Sequence, residues 1–291
     1  MRIYFIVKPL SVLTFKKLCK SIEKTFNKKK YSLHVLKTLN KGHAISLAQK
    51  AISEKTDLIV ACGGDGTINE VAQVLVETKI PLAIIPLGSG NGIARHFEIP
   101  FGITKALQII KKNNLAKMDV GVVNGSYFFG NMGCALESLF IRRYQKNKWH
   151  GIFAYMIAFF EALIVFKYNR VQIKYDKVRQ EISPFVMLIS NTNQQGYDFS
   201  LTPKALSDDG LIDLFFMEKS NILNMIKFLI NVLMGKELNL KGCRIIRLAA
   251  LKISLLSQGD FCVQIDGEYL QVVSKNLDIK MLPKKLSVIV P

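Results

Sequence analysis

Two short apolar runs, residues 58–61 and 82–85, each end in a glycine-rich turn, Gly63-Gly64-Asp65-Gly66-Thr67 after the first and Pro86-Leu87-Gly88-Ser89-Gly90-Asn91 after the second. A short apolar run with no polar alternation is the pattern of a strand buried on both faces, as in a parallel sheet covered by helices. Two such strands side by side would bring both turns to one carboxyl edge, where open α/β sheets bind ligands. Glycine has no Cβ, so main-chain N–H groups of the first turn can approach a phosphate closely. Thr67-Ile68-Asn69-Glu70 has the form of a capping box, and Ile68, Val71, Ala72 and Leu75 follow at the spacing of an amphipathic helix. That helix would direct its unpaired N–H groups and the positive end of its dipole into the same turn. Asp65 is the odd residue. A carboxylate is repelled by phosphate unless it binds Mg²⁺, orients water or takes a proton, so its presence favours phosphoryl transfer over passive binding. One glycine cluster alone could equally be an ordinary turn; the pair points to a nucleotide phosphate site.

Strand-like and helix-like segments alternate up to about residue 117: 3–7, 15–26, 33–36, 43–52, 58–61, 68–76, 82–85 and 104–111. This predicts a doubly wound α/β domain over residues 1–118. From Val120 the pattern changes to short strands with tight turns, beginning at the Asn124-Gly125 hairpin signal and continuing through 171–175, 185–190, 212–217, 250–255, 261–265, 269–273 and 277–281. The second domain, 119–291, is expected to be a mainly antiparallel β-sandwich with one or two helices, and its last strand could return to the first domain. With no low-complexity linker, the ligand cleft is expected between two abutting domains.

The 291 residues, 49% hydrophobic, can supply two cores. The five cysteines, Cys19, Cys62, Cys134, Cys243 and Cys262, are dispersed without a CxxC pair and read as reduced packing residues. The N-terminus reads as a first strand rather than a signal peptide, so a cytoplasmic protein is expected. The apolar stretches 152–166 and 222–234 fall short of the ~20 residues that span a bilayer. Forty Lys and Arg against 22 Asp and Glu leave a net charge of +18, which calls for anionic partners. No base-reading motif is present, so nucleic acid is not expected. An anionic membrane surface is, because basic residues gain roughly 1 kcal/mol each near anionic lipid. Lys28-Lys29-Lys30, Arg142-Arg143 with Lys146 and Lys148, and Lys284-Lys285 are the candidate clusters, each equally readable as a solvated face. A homodimer is left open.

The two glycine turns, with Ala94-Arg95 after the second, resemble the diacylglycerol kinase catalytic domain shared by soluble bacterial lipid kinases, sphingosine kinases and ceramide kinases. Thr38 with Gly42-His43-Ala44, the loop Asp208-Asp209-Gly210-Leu211 and the late turn Asp266-Gly267-Glu268 resemble further elements of that family, in its order and over nearly the whole chain. The resemblance implies an ATP-dependent kinase acting on a lipid hydroxyl, with diacylglycerol or a sphingoid base as acceptor.

Such a reaction needs a nucleotide clamp, a divalent ion to offset charge and a carboxylate to accept the hydroxyl proton. No GxxxxGK[ST] sequence is present, so this is not a P-loop kinase. By resemblance, Gly63, Gly64, Asp65, Gly66, Thr67, Ile68, Asn69, Ser89 and Asn91 would contact ATP, with Thr38 at the phosphates. Where the family's first strand usually ends in Asn-Pro, this chain has Lys8-Pro9, and Lys8 is either a substitute phosphate contact or a solvated lysine. Asp266-Gly267-Glu268 on its own is an ordinary hairpin turn. The resemblance makes Glu268 the proton acceptor, supported by Asp266 and Asp65, and places a structural Mg²⁺ in the acidic loop at Leu206, Asp209 and Leu211, with Asp208 beside them. It also suggests that Glu137 selects the acceptor lipid, against a solvated glutamate as the alternative. Two other readings stay open: a kinase similar to NAD kinase, which shares the Gly-Gly-Asp-Gly turn, and a non-catalytic basic lipid-binding module.

Overall fold

β1 (Arg2–Val7) is apolar and buried at every position after Arg2. It pairs in parallel with β2 (Ser32–Lys37) on one side and β3 (Leu58–Gly63) on the other, and β3 pairs with β4 (Leu82–Pro86). Parallel neighbours need crossovers, and the chain supplies them as helices α1 (Val12–Thr25), α2 (His43–Ser53) and α3 (Asp65–Leu75). The short α4 (Gly92–His96) and then α5 (Ile103–Lys112) follow β4. Ile3, Phe5 and Val7 share one cluster with Leu18 and Ile22 of α1 and Ala106, Leu107 and Ile110 of α5. Tyr4 and Ile6, at the alternate positions, are equally buried, and α2 and α3 pack against β1 and β3. The sheet is therefore covered on both faces, which explains its unbroken apolar runs. Truncating Phe5 to Ala in such a core would cost ~3–5 kcal/mol.

The computed structural model describes residues 1–147, 152–195, 200–234 and 242–291, so Lys148 of the second basic cluster lies outside the described residues. After α5, β5 (Asn114–Val123) turns back through Asn124-Gly125 into β6 (Ser126–Phe128). Both turn residues have positive φ, 46° and 86°, as a type I′ hairpin demands. The remaining elements are β7 (Asn131–Ala135), α6 (Leu136–Lys146), α7 (Ile152–Val165), β8 (Val171–Tyr175), β9 (Val178–Ile182), β10 (Pro184–Ser190), β11 (Ile212–Glu218), α8 (Ile222–Leu233), β12 (Cys243–Leu248), β13 (Ala250–Leu255), β14 (Phe261–Ile265), β15 (Glu268–Val272) and β16 (Asn276–Val290).

Six of these strands form an antiparallel sheet in the order β12-β11-β10-β7-β14-β15. Alternation along the strands gives the sheet two apolar faces. Met187, Ile189, Leu214 and Phe216 pack with Ile173, Ile253, Leu277 and Ile279 from the strands β8, β13 and β16, which forms the sandwich core. Phe185, Leu188, Phe215 and Met217, on the other face, pack under Phe140 of α6, Ala158 and Ala162 of α7 and Phe228 of α8.

β16 runs well past the expected 277–281. Its first part pairs antiparallel with β13, and Val288 pairs in parallel with Leu82 of β4. The chain accordingly divides into one compact unit of Met1–Val120 with Pro283–Pro291 and a second of Gly121–Leu282. Among the described residues, no helix is long and apolar enough to cross a membrane.

Candidate active site

In the first unit the two glycine turns touch main chain to main chain. The N–H of Leu87 donates to the carbonyl of Gly63 at 2.8 Å. A Cβ on Gly64 would stand 3.0 Å from Gly88 Cα, and one on Gly88 would overlap Gly64 and come within 2.7 Å of Asn91 Oδ1. Neither position can carry a side chain without separating the turns. Asn91 takes the left-handed conformation, φ 52°, and closes the second turn on itself. Its Oδ1 accepts the N–H of Gly88 at 3.0 Å and its Nδ2 donates to the carbonyl of Gly88 at 2.8 Å. Arg95 Nε donates to the carbonyl of Gly90 at 3.1 Å, which leaves Ser89 exposed at the tip.

Asp65 opens α3, and its Oδ1 accepts the N–H of Ile93 at 3.3 Å, so one carboxylate bridges the two turns. Burial raises its pKa, and the N–H groups of Gly92, Ile93 and Asn91 oppose that rise. The expected capping box does not form. α3 begins at Asp65 with Gly64 as its N-cap and no side-chain cap, two residues before Thr67. Glu70 instead reaches α2, accepting the N–H groups of Gly42 at 2.7 Å and Ala44 at 3.0 Å. The start of a neighbouring helix, held by Gly42 at φ 84°, outcompetes the local cap. By position, the N–H groups of Gly66 and Thr67 have no intrahelical acceptor and stand where a helix start receives an anion, whereas the N–H of Asp65 serves its own carboxylate. Ile68 differs from the expectation, because its side chain is buried in the core and its N–H donates to Gly64 O at 3.0 Å. The side chain of Asn69 accepts from Gln73 one turn on. Lys8 and Thr38 follow the ends of β1 and β2, at the carboxyl edge that carries the turns. The N–H of Thr38 donates to Val7 O at 2.8 Å and that of Lys8 to Cys62 O at 3.0 Å. Burial lowers the pKa of the Lys8 ammonium, so this lysine is not a fully solvated one.

In the second unit, Asp266 and Gly267 form the β14–β15 turn with positive φ at both residues, 47° and 82°. The Asp266 carboxylate is buried and accepts three main-chain N–H groups, from Phe129 at 2.8 Å, Gly130 at 2.7 Å and Asn131 at 3.0 Å. That is the work of an anchor. Two glutamines missed at the sequence level brace the same turn. Gln264 Oε1 accepts the N–H of Gly267 at 2.9 Å while its Nε2 donates to Asn131 Oδ1 at 2.8 Å. Gln145 of α6 donates to Gly267 O at 3.2 Å and accepts from Tyr269 N at 3.4 Å. Glu268, half-buried, is thus the first residue of a strand whose turn is fixed from two sides. Only the contacts of these glutamines reveal them, since neither lies in a motif.

Glu137, in the first turn of α6, is not a solvated glutamate. Its Oε2 accepts the N–H of Met187 at 3.2 Å, and its Oε1 is enclosed without a hydrogen-bond partner. Burial of the carboxyl end pushes its pKa up to about 8, opposed by the N–H groups of Glu137 and Met187. Burial thus favours its neutral form. Ala135, just before it, is held at φ 67° and ψ −127°, a region that disfavours any residue with a Cβ.

The acidic loop is organised around Arg247 of β12. Asp209 accepts the N–H of Leu211 at 2.9 Å through Oδ1 and pairs with the Arg247 guanidinium through Oδ2. Arg247 Nε also lies 3.5 Å from Oδ1 of the buried Asp213, whose Oδ2 is enclosed and unpartnered. Asp208 and Leu206 are exposed. Among the described residues no three His, Cys, Asp or Glu side chains converge as a metal cage. The orphaned oxygen of Asp213 and the hard-oxygen character of the loop fit a cation held chiefly by main-chain carbonyls, with Arg247 as its competitor.

Comparison with known proteins bears on both units. Residues 2–123 match the family described as the diacylglycerol kinase catalytic domain, and residues 132–290 match the YegS C-terminal NAD kinase beta sandwich-like domain. A diacylglycerol kinase of Staphylococcus epidermidis is 30% identical over 233 residues, which cover 78% of this chain and 73% of that protein. One from Staphylococcus aureus is 31% identical over the same shares. A crystal structure of a diacylglycerol kinase from Bacillus anthracis shares the fold, with a TM-score of 0.77 at 23% identity, covering 100% of this chain and 97% of that one. With its interlocked glycine turns and braced Asp-Gly-Glu hairpin, this chain belongs to the diacylglycerol kinase family of lipid kinases.

Proposed function

We propose that the protein transfers the γ-phosphoryl group of ATP to a hydroxyl of a membrane lipid, and that the acceptor is diacylglycerol. The observation that carries the reading is the approach of Gly64 to Gly88, by which the second turn braces the first and holds the start of α3 as a main-chain cradle for a polyphosphate. The N–H groups of Gly66 and Thr67 at the start of α3 hold the phosphates, and Lys8 supplies a cation where the family's asparagine is missing. Ser89, exposed at the tip of the second turn, adds a hydroxyl. Glu268 takes the proton of the acceptor hydroxyl, and Asp266 positions it through the turn rather than touching substrate. Mg²⁺, when bound, offsets charge on the transferring group; Asp65 is the residue of the cradle that would face it, and a second, structural ion would be held by the carbonyls of Leu206 and Leu211 with Asp209.

Diacylglycerol is preferred over a sphingoid base because the Glu137 carboxyl is enclosed against the Met187 N–H rather than open to an ammonium, and because the named relatives are diacylglycerol kinases. The test is an acceptor panel of diacylglycerol, sphingosine, ceramide and NAD⁺, each incubated with γ-labelled ATP and Mg²⁺. Label in the diacylglycerol product supports the reading. Label in the NAD⁺ product alone makes this an NAD kinase, and no label anywhere with intact ATP binding makes it a lipid-binding module.

A further inference from the structure

Two carboxylates of α3 reach out of the helix to two different neighbours. Asp65 accepts the N–H of Ile93 in the second glycine turn at 3.3 Å, and Glu70 accepts the N–H groups of Gly42 and Ala44 at the start of α2, at 2.7 and 3.0 Å. The first bond belongs to the cradle. The second ties the helix that starts the cradle to segment 38–42, which leaves β2 at the carboxyl edge and enters α2. Packing does little to fix this segment. Thr38 is buried and its N–H is held by Val7 O, whereas residues 39–42 are all exposed, Leu39 by 78%. His43 Nδ1 accepts the N–H of Leu39 at 3.0 Å and the N–H of His43 donates to Asn40 O at 3.3 Å, so the loop closes on the first turn of α2. Where α2 goes, segment 38–42 goes with it.

α2 packs against α3 and β1, and the residues it buries are Ala44, Ala48 and Ala51. Methyl groups make shallow ridges, which grip a neighbour weakly along the helix axis. The Glu70 carboxylate, with one oxygen on each of two main-chain donors, supplies the directional restraint that the alanines lack. It also occupies the first turn of α2, where an anion would otherwise be attracted. A phosphate at this edge is thereby left to the start of α3.

We propose that Glu70 is a positioning residue of the nucleotide site: by holding the start of α2 against α3, it fixes segment 38–42 beside the phosphate cradle and presents Thr38 to the phosphates. The inference rests on the reading that ATP binds at the start of α3, with Thr38 among its contacts. Glu70 itself touches no substrate. Removing a negative charge near a polyanion strengthens binding through charge alone, whereas releasing a positioned loop weakens it. The two effects of Glu70→Gln oppose each other, so the sign of the change tells them apart.

The test titrates the full chain with ATP and Mg²⁺ in a calorimeter, with no lipid acceptor present. Glutamine keeps the shape but turns an NH₂ group toward one of the two main-chain N–H groups, so Glu70→Gln should weaken ATP binding about tenfold. Gly42→Ala perturbs the same segment through the backbone alone, since a Cβ there meets nothing within 4 Å while φ is 84°, and it should weaken binding in the same direction. In a Thr38→Ala background the Glu70→Gln change should cost less than about twofold, because the group it positions is gone. In lipid labelling, Glu70→Gln should raise the KM for ATP and leave kcat within about threefold of the parent. Unchanged or tighter ATP binding by folded Glu70→Gln overturns the proposal, as do equal losses in both Thr38 backgrounds or a kcat that falls in step with a lowered Tm, the mark of a purely structural bond. If Glu70→Gln does not fold, Gly42→Ala decides by the same criterion. A parent that binds ATP but labels no lipid refutes the lipid-kinase reading and leaves the positioning role to the calorimetry; a parent with no affinity for ATP refutes both.

Discussion

Asp266→Asn separates an anchor from a catalytic carboxylate. The wild-type carboxylate receives the N–H of Phe129 on Oδ2 and those of Gly130 and Asn131 on Oδ1, with only 8% of the residue exposed. Asparagine keeps one acceptor oxygen and presents an NH₂ group in place of the other. If the amide oxygen faces Gly130 and Asn131, the N–H of Phe129 meets another donor; the flipped amide leaves two N–H groups unsatisfied. The better orientation loses one charge-assisted bond, worth ~1.5–3 kcal/mol, and strands a buried donor at ~1–3 kcal/mol more. A loss of roughly 4 kcal/mol corresponds to a fall in Tm of about 8–16 °C for a domain of this size. Glu268→Gln, half-buried at the start of β15, should change stability by no more than ~0.5 kcal/mol. Differential scanning calorimetry of both variants is the assay. An Asp266→Asn protein that melts within about 1 °C of the parent would refute the anchoring role, because that shift is under ~0.5 kcal/mol.

The Glu137 carboxyl, with a folded pKa of about 8 against an ordinary value of 4.5, binds a proton that the unfolded chain has released between those two pH values. Stability should therefore fall as pH rises through that window, and Glu137→Gln should flatten the dependence and melt higher than the parent at pH 8, as read by melts across pH. Ala135→Gly, at φ 67°, should raise stability by ~1 kcal/mol, since glycine relieves a left-handed strain; an unchanged or lower Tm contradicts the strain. Gly88→Ala should abolish detectable ATP binding in titration calorimetry while the antiparallel unit keeps its own melting transition, because the new Cβ would overlap Gly64.

Much of the fold is legible in the sequence because parallel strands buried on both faces advertise themselves: the runs at 58–61 and 82–85 lie within β3 and β4, and the Asn124-Gly125 turn is where its dipeptide puts it. β9 and β12 escape because Val-Arg-Gln-Glu-Ile and Cys-Arg-Ile-Ile-Arg-Leu mix charge with apolar residues and are held by their neighbours rather than by pattern. β16 is underread for the opposite reason: Pro283 and the lysines after it look like an ending, yet the chain continues to Val288 beside β4. At the site, the glycine turns are visible as composition, but their mutual contact is not. Thr67-Ile68-Asn69-Glu70 reads as a local cap although Glu70 caps another helix, a long-range competition that spacing cannot show. Asp266 and Glu268 look alike as two acids of one turn. Only the three N–H groups converging on Asp266 mark it as the anchor of the turn.

The central claim is phosphoryl transfer with Glu268 as the proton acceptor. It is tested most directly by following label from γ-labelled ATP into diacylglycerol in mixed micelles, for the parent and for Glu268→Gln at matched folded concentration. The parent should label the lipid only with Mg²⁺ present, and the variant should show kcat lowered by about 10²–10⁴-fold with a near-parental KM for ATP. A variant that labels diacylglycerol at the parent's rate would return Asp266-Gly267-Glu268 to a structural hairpin and contradict the account.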